Sequence, residues 1–311
     1  MRFVVTAFGP FGGMPFNPTM AIVLGKGSEH SGIVDFLSQH ALTAEDGDEV
    51  IVETLELPVS ASGVVSSLQS LYSSADRFPP GSTTVVLHLG VDGSQAQYSS
   101  PRVKLERTAH NCMDFRIPDN DGFQPRQESI EAYCCDSGGG ETKSLQSPSS
   151  SSKADDAAGG DGWTPTTFAV SSSVLCQTRN SLGGLDSSSP PPSSLAPSSP
   201  SPSVDLILSR LGSLWNAPHP LVDVSDDPGR FVCNFCLYHS LMHCATVNNK
   251  RAESGSASAC GAALAMFVHV PPFELISEAL QLRLLRDIML CCKEIVDGKI
   301  NEDIKLLGRL H

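Results

Sequence analysis

The chain has 311 residues, 40% hydrophobic and 18% charged, with 21 Lys and Arg against 34 Asp and Glu for a formal net charge of -13. That length buries a sizeable core, and the acidic balance without any dense Lys/Arg cluster argues against a nucleic-acid partner. Ten cysteines are scattered through apolar segments, and the first apolar run, Phe3 to Phe8, is too short for a secretory leader. The expectation is therefore a cytoplasmic protein with reduced thiols, no membrane partner and no disulfide framework.

In chain order, Phe3–Phe8 reads as a strand that ends in the turn cluster Gly9-Pro10-Phe11-Gly12-Gly13. A helix is predicted over Thr19–Leu24, a strand over Val50–Leu57, a helix over Ala61–Tyr72 and a strand over Thr84–Leu89. From 136 to 203 the composition turns to Ser, Gly, Pro and Asp, with runs such as Ser149-Ser150-Ser151-Ser152 and Pro190-Pro191-Pro192. A stretch of that kind cannot bury a core and reads as a disordered insertion. Trp163 and the apolar patch Phe168–Leu175 within it are assigned no role.

After the insertion come a helix over Val204–Trp215, a strand over Leu221–Ser225, a helix over Val232–His243, a Ser/Gly/Ala-rich loop over about 248–260, a strand over Leu264–Val270 and a helix over Phe273–Val296. Several strands are apolar on both faces, and strands alternate with helices. Both features call for a three-layer α/β/α single domain with a mostly parallel twisted sheet, built from residues 1–135 and 204–311 around the disordered insertion. Functional groups in such sheets gather on loops beyond the carboxyl ends of strands.

Cys233 fits that rule. It follows the Gly229 turn in Pro228-Gly229-Arg230-Phe231-Val232-Cys233-Asn234 and opens an apolar helical stretch. The first turn of a helix directs unpaired N–H groups and a partial positive charge outward, which favours a thiolate. The alternative for a free Cys is an inert place in the core. Cys233-x-x-Cys236 has the spacing of a redox dithiol or half a zinc site, but a second ligand pair at zinc spacing is missing. His239 and His243 share a helix face without the Glu of a zinc-protease helix, so no metal or cofactor is expected. His269, near the end of the strand Ala265 to Val270, is either a core histidine or a proton carrier.

Thr6-Ala7-Phe8-Gly9-Pro10-Phe11-Gly12-Gly13 with Asn17-Pro18 resembles the N-terminal signature of pyroglutamyl peptidase I, a cysteine peptidase family that removes N-terminal pyroglutamate. Four further blocks match in order: Leu57-Pro58-Val59; Glu106-Arg107-Thr108-Ala109-His110-Asn111 through Arg116-Ile117-Pro118-Asp119-Asn120; Gly229-Arg230-Phe231-Val232-Cys233-Asn234; and Phe267-Val268-His269-Val270-Pro271. The resemblance implies Cys233 as nucleophile, His269 as proton carrier and Glu106 as the group that orients the imidazole, the roles of a Cys/His/acid triad. It implies oxyanion support from the Cys233 N–H and Arg116. Arg116 has a structural alternative as ion-pair partner of Asp119, and Glu106 as an exposed helix or loop carboxylate.

For the substrate, the resemblance implies a peptide with N-terminal pyroglutamate. That neutral lactam needs apolar walls and a few amide groups, here Phe8, Phe11, Ile117, Phe231 and Val232, with Asn17 supporting the loop that carries the first two. The loop Gly90-Val91-Asp92-Gly93-Ser94-Gln95-Ala96-Gln97 departs from the Gly-Gln-Ala-Gly-Gly-Arg loop of bacterial members. It makes Asp92 a substrate-binding candidate and bears on affinity more than on reaction class. Asp226 and Asp227 would disfavour a thiolate if they faced the sulfur. Oligomeric state stays open. Three competing readings stand beside the peptidase: a non-catalytic scaffold of the same fold, a Cys233–Cys236 redox pair, and a cysteine hydrolase of another acyl group.

Overall fold

A computed structural model describes residues 1–13, 16–28, 30–42, 50–97, 100–136, 167–169, 201–215, 221–253 and 261–298. The strands are β1 (Arg2–Phe8), β2 (Ile51–Leu57), β3 (Thr84–Val91), β4 (Val103–Glu106), β5 (Thr108–His110), β6 (Thr167–Ala169), β7 (Val222–Ser225) and β8 (Ala263–Val270). The helices are α1 (Pro18–Leu24), α2 (Gly32–Gln39), α3 (Ala61–Ser73), α4 (Ile130–Asp136), α5 (Val204–Leu214), α6 (Val232–Glu253) and α7 (Glu278–Val296). Six strands form one sheet in the order β2-β1-β3-β8-β4-β7. β2, β1, β3 and β8 are mutually parallel, while β4 pairs antiparallel with β8 and parallel with β7.

The central strands are apolar on both faces because both are covered. Phe3, Val5, Ala7, Val85, Leu87, Leu89, Met266 and Val268 join the core formed with α1, α2, α5 and α7. Val4, Val86, Ala265 and Phe267 join the core formed with α3 and α6. Side chains alternate along a strand, so His88, Gly90 and His269 share the face of Val86 and Phe267, beneath α6. The three-layer expectation is met.

Several boundaries move, each for a physical reason. α6 runs ten residues past the predicted end at His243, taking in the start of the loop expected over 248–260. Asn248 grips the start of β8 through Nδ2 to the Ala263 carbonyl (2.9 Å) and Oδ1 from the Ala263 N–H (2.8 Å), and Arg251 donates to the carbonyls of Phe78, Pro79 and Gly261. α7 starts at Glu278 rather than Phe273, since Leu275 and Ile276 turn back on the Pro272 carbonyl and Gln281 donates to the carbonyls of Pro271 and Ile276. α2, α4 and the short strands β4, β5 and β6 have no counterpart in the sequence expectations. β6 falls inside the expected insertion and pairs with β5. Residues 137–166 and 170–200 of that insertion, including Trp163, lie outside the described residues.

Candidate functional site

Three strand ends and one helix start converge. Gly90 at the end of β3 is paired with His269 at the end of β8, and Glu106 closes β4 opposite Phe267, so that its carboxylate reaches His269 diagonally. Glu106 Oε1 lies 2.7 Å from His269 Nδ1. The Glu106 side chain is fully buried, so the exposed-carboxylate alternative fails. Cys233 lies in the first turn of α6, entered through Gly229 with a φ of 79° that favours glycine. The first intrahelical bond there is Phe235 N–H to the Phe231 carbonyl, so the Cys233 N–H belongs to the unpaired donors of the turn.

Cys233 Sγ stands over Gly90, the residue paired with His269 on the neighbouring strand, so sulfur and imidazole occupy adjacent positions on one face of the sheet. Burial opposes a proton on His269, but interactions with Cys233 and the Glu106 bond and charge outweigh it and raise the group to about 10. With Nδ1 committed to Glu106, Nε2 is the ring nitrogen left for other chemistry. Glycine at 90 is a steric necessity: a Cβ there would stand 2.7 Å from the Phe267 ring and 3.1 Å from Cys233 Sγ.

The aromatic candidates cluster beside this point. Phe11 and Phe231 have ring centroids 5.1 Å apart, Phe231 packs edge-on to Phe115 at 4.7 Å, and Phe8 lies 6.3 Å from Phe267. Phe8 and Val232 are buried at 3% and 1% exposure, whereas Ile117 is 51% exposed. Asn17 caps α1 through Oδ1 and donates Nδ2 to the Gly9 carbonyl at 3.1 Å, so it supports the loop carrying Phe8 and Phe11. Asn120, given no role by the sequence, holds the same loop through Nδ2 to the Pro10 carbonyl at 2.9 Å.

Arg116 is exposed on the loop after β5. Its ion pair with Asp119 does not form. The Asp119 carboxylate accepts instead from the N–H groups of Ala61, Asp121 and Phe123, capping α3 and its own loop. Asp92 is tied to Lys104 Nζ at 2.7 Å and to the Ser94 backbone and hydroxyl. Asp226 and Asp227 do not act as a sulfur-facing pair, because Arg107 takes Asp226 and Arg230 takes Asp227.

Asn234, adjacent to the thiol and 0% exposed, is another residue that sequence reasoning passed over. It accepts from His110 N–H at 2.8 Å and donates to the carbonyls of His110 (2.9 Å) and Cys112 (3.0 Å), locking β5 to the first turn of α6. A buried polar residue next to the candidate nucleophile was the only signal for it.

As a redox catalyst the pair meets an obstacle, because Cys236 is fully buried against His88, out of reach of an external disulfide, with its thiol pushed well up by burial and the Cys233 charge. His239 is 7% exposed and burial, with the His243 charge, lowers it to about 4. His243 stacks on Tyr72. Among the described residues no group of three His, Cys, Asp or Glu could hold a metal ion, and no helix is long and apolar enough to cross a membrane.

Fold and site together define an α/β/α protein with a Cys–His–Glu constellation at the carboxyl edge of its sheet. Residues 1–136 match the family model for pyroglutamyl peptidase. The chain is 30% identical over 132 residues to the pyrrolidone-carboxylate peptidase of Thermococcus kodakarensis, covering 42% of this chain and 50% of that one. It is 29% identical over 130 residues to that of Treponema denticola, covering 42% and 47%. The matches thus span about half the length of these relatives. Among solved structures, a mutant pyrrolidone carboxyl peptidase from Pyrococcus furiosus superposes with a TM-score of 0.50 at 20% identity, over 95% of this chain and 100% of that one. The enzyme from Fervidobacterium islandicum gives 0.51 at 21%, over 94% and 99%. The sequence matches show a similarity to pyroglutamyl peptidases that is confined to part of the chain, and the solved structures show a shared fold.

Proposed function

We propose that the protein is a cysteine peptidase that cleaves the bond after an N-terminal pyroglutamyl residue through a thioester intermediate. The observation that carries the reading is the 2.7 Å bond from His269 Nδ1 to the buried Glu106, with Cys233 Sγ standing over Gly90, the residue paired with His269. Cys233 Sγ attacks the carbonyl joining the lactam to the next residue. His269 gives its proton to the departing amine, then takes one from water as that water attacks the thioester. Glu106 fixes the ring and offsets its charge during both transfers. The negative charge that develops on the carbonyl oxygen lies at the start of α6, where the Cys233 N–H and the helix terminus stabilise it.

Phe11 and Phe231, with Ile117 at the mouth and Phe8 and Val232 behind, supply apolar walls suited to an uncharged ring. Asn17 and Asn120 hold the carbonyls of Gly9 and Pro10, which fixes the Phe11 wall. Arg116 stands at the rim as a candidate for oxyanion support, and Asp92 fixes the loop after β3. Cys112, Cys233, Cys236, Cys244, Cys291 and Cys292 are free thiols, which supports a reducing compartment such as the cytoplasm.

The test is release of a fluorescent amine from pyroglutamyl, glutamyl, glutaminyl and prolyl substrates. Turnover is expected with pyroglutamate alone, with a loss of at least about 10³-fold in Cys233→Ser and His269→Ala. A parent protein that leaves every substrate untouched gives the case to the scaffold reading. Turnover of another acyl group in preference to pyroglutamate points to a different cysteine hydrolase.

A further inference from the structure

Cys236 is the nucleophilic group for which the proposed peptidase has no use. It sits one helical turn after Cys233, and both side chains rest on one strand. Cys236 Sγ is 3.6 Å from His88 Nδ1, and Cys233 Sγ lies over Gly90, two residues further along the same face of β3. Residues three apart in an α-helix have Cα atoms about 5 Å apart, within the roughly 4.4–6.8 Å Cα separation found in disulfides. Cys233 is partly exposed whereas Cys236 is sealed beneath it, so an oxidant reaches only the first sulfur. Neither thiol is engaged in a disulfide.

We propose that Cys233 and Cys236 form a hydroperoxide-modification site in which Cys236 captures oxidised Cys233 as an intrachain disulfide. This rests on the reading of Cys233 as a reactive thiolate. In the first step the Cys233 sulfur attacks a peroxide oxygen. An S–O bond forms, the O–O bond breaks, two electrons pass from sulfur to the peroxide, and the leaving alkoxide or hydroxide takes the proton of the His269 imidazolium. Cys233 is then a sulfenic acid. In the second step the Cys236 sulfur attacks the Cys233 sulfur. The S–S bond forms, the S–O bond breaks, and hydroxide leaves with the Cys236 proton as water, so no further oxidant is consumed. A dithiol reductant restores both thiols. Capture removes the sulfenic acid before a second peroxide makes the irreversible sulfinic acid.

The experiment exposes the full chain to hydrogen peroxide and follows activity and peptide mass before and after dithiothreitol. For the parent, the tryptic peptide Phe231–Lys250 is expected two hydrogens lighter, with no fragmentation between Cys233 and Cys236, and activity returns fully on reduction. Cys236→Ala and Cys236→Val are expected to start at parental activity, gain two oxygens on Cys233 under peroxide and recover at least tenfold less activity. Two variants of different volume separate loss of the thiol from a packing defect. A parent peptide that gains oxygens, or Cys236 variants that recover as well as the parent, overturns the disulfide. A Cys233 inert to both iodoacetamide and peroxide overturns the proposal through the thiolate reading beneath it.

Discussion

At Gly90 the missing side chain leaves room for two neighbours. Phe267, fully buried, and Cys233 Sγ occupy the space a Cβ would need, at 2.7 and 3.1 Å. Phe267 has no room to retreat, so the strain falls on the sulfur and on the first turn of α6. Gly90→Ala is expected to lose about 1–3 kcal/mol of stability, the usual range for overpacking, and more than tenfold in kcat with a smaller change in KM. Urea unfolding alongside steady-state kinetics checks both; parental kcat would show that the sulfur does not depend on this gap. At this scale the sequence was legible where a residue type carries its own chemistry. Cys233 at a helix start and His269 at a strand end stand out as candidates from their own surroundings, whereas Glu106 stands out only through the family resemblance of its block. Gly90, Asn120 and Asn234 do not stand out, because a glycine or asparagine announces its role only through what stands beside it.

α6 is the element on which the site depends, and it is pinned along its length. Asn234 holds its first turn to β5, Ser240 meets His88 Nε2 at 2.7 Å while His88 Nδ1 meets Thr6 at 2.8 Å, and Asn248 holds the start of β8. These polar contacts fix the helix in register over the sheet, which apolar packing alone leaves free to slide. Asn234→Ala strands the N–H of His110 and two carbonyls in a buried place, at about 1–3 kcal/mol. It should slow turnover at least tenfold with little effect on apolar packing elsewhere, whereas Asn248→Ala, at the far end, should cost stability but leave kcat within about twofold once folded protein is compared. Equal kinetic losses in the two variants would refute a local clamp at Cys233. Helical periodicity placed α6, but its end was missed by ten residues because Asn248 and Arg251 extend it through partners distant in sequence.

Across the whole molecule, burial of histidines sets an acid limit. Desolvation lowers His88 to about 3, and desolvation with the His243 charge lowers His239 to about 4. The unfolded chain titrates near 6.5, so below that pH it takes up protons that the native state refuses. Stability is present above about 6.5 and drains away as the pH falls toward the native values, by about 2 kcal/mol for each of the two histidines at pH 5. His269 has the opposite sign. Raised to about 10, its contribution is complete below about 6.5 and is lost as the pH climbs from there to about 10. Urea midpoints should therefore fall on both sides of neutrality, and a midpoint unchanged between pH 7 and 5 would contradict the buried neutral histidines.

The amino-acid order by itself determined the α/β alternation, the two-faced apolar strands, the composition break over 136–203 and the chemistry available at Cys233, His269 and Glu106, because periodicity, composition and functional groups are local properties of a chain. Only the tertiary structure decided that β4 runs against β8, so that Glu106 meets His269, that Arg107 and Arg230 draw Asp226 and Asp227 into ion pairs, and that Gly90 leaves room for the sulfur. Those outcomes depend on strand direction and register between segments up to 163 residues apart. They are settled by which faces must be buried together, and no local pattern encodes that.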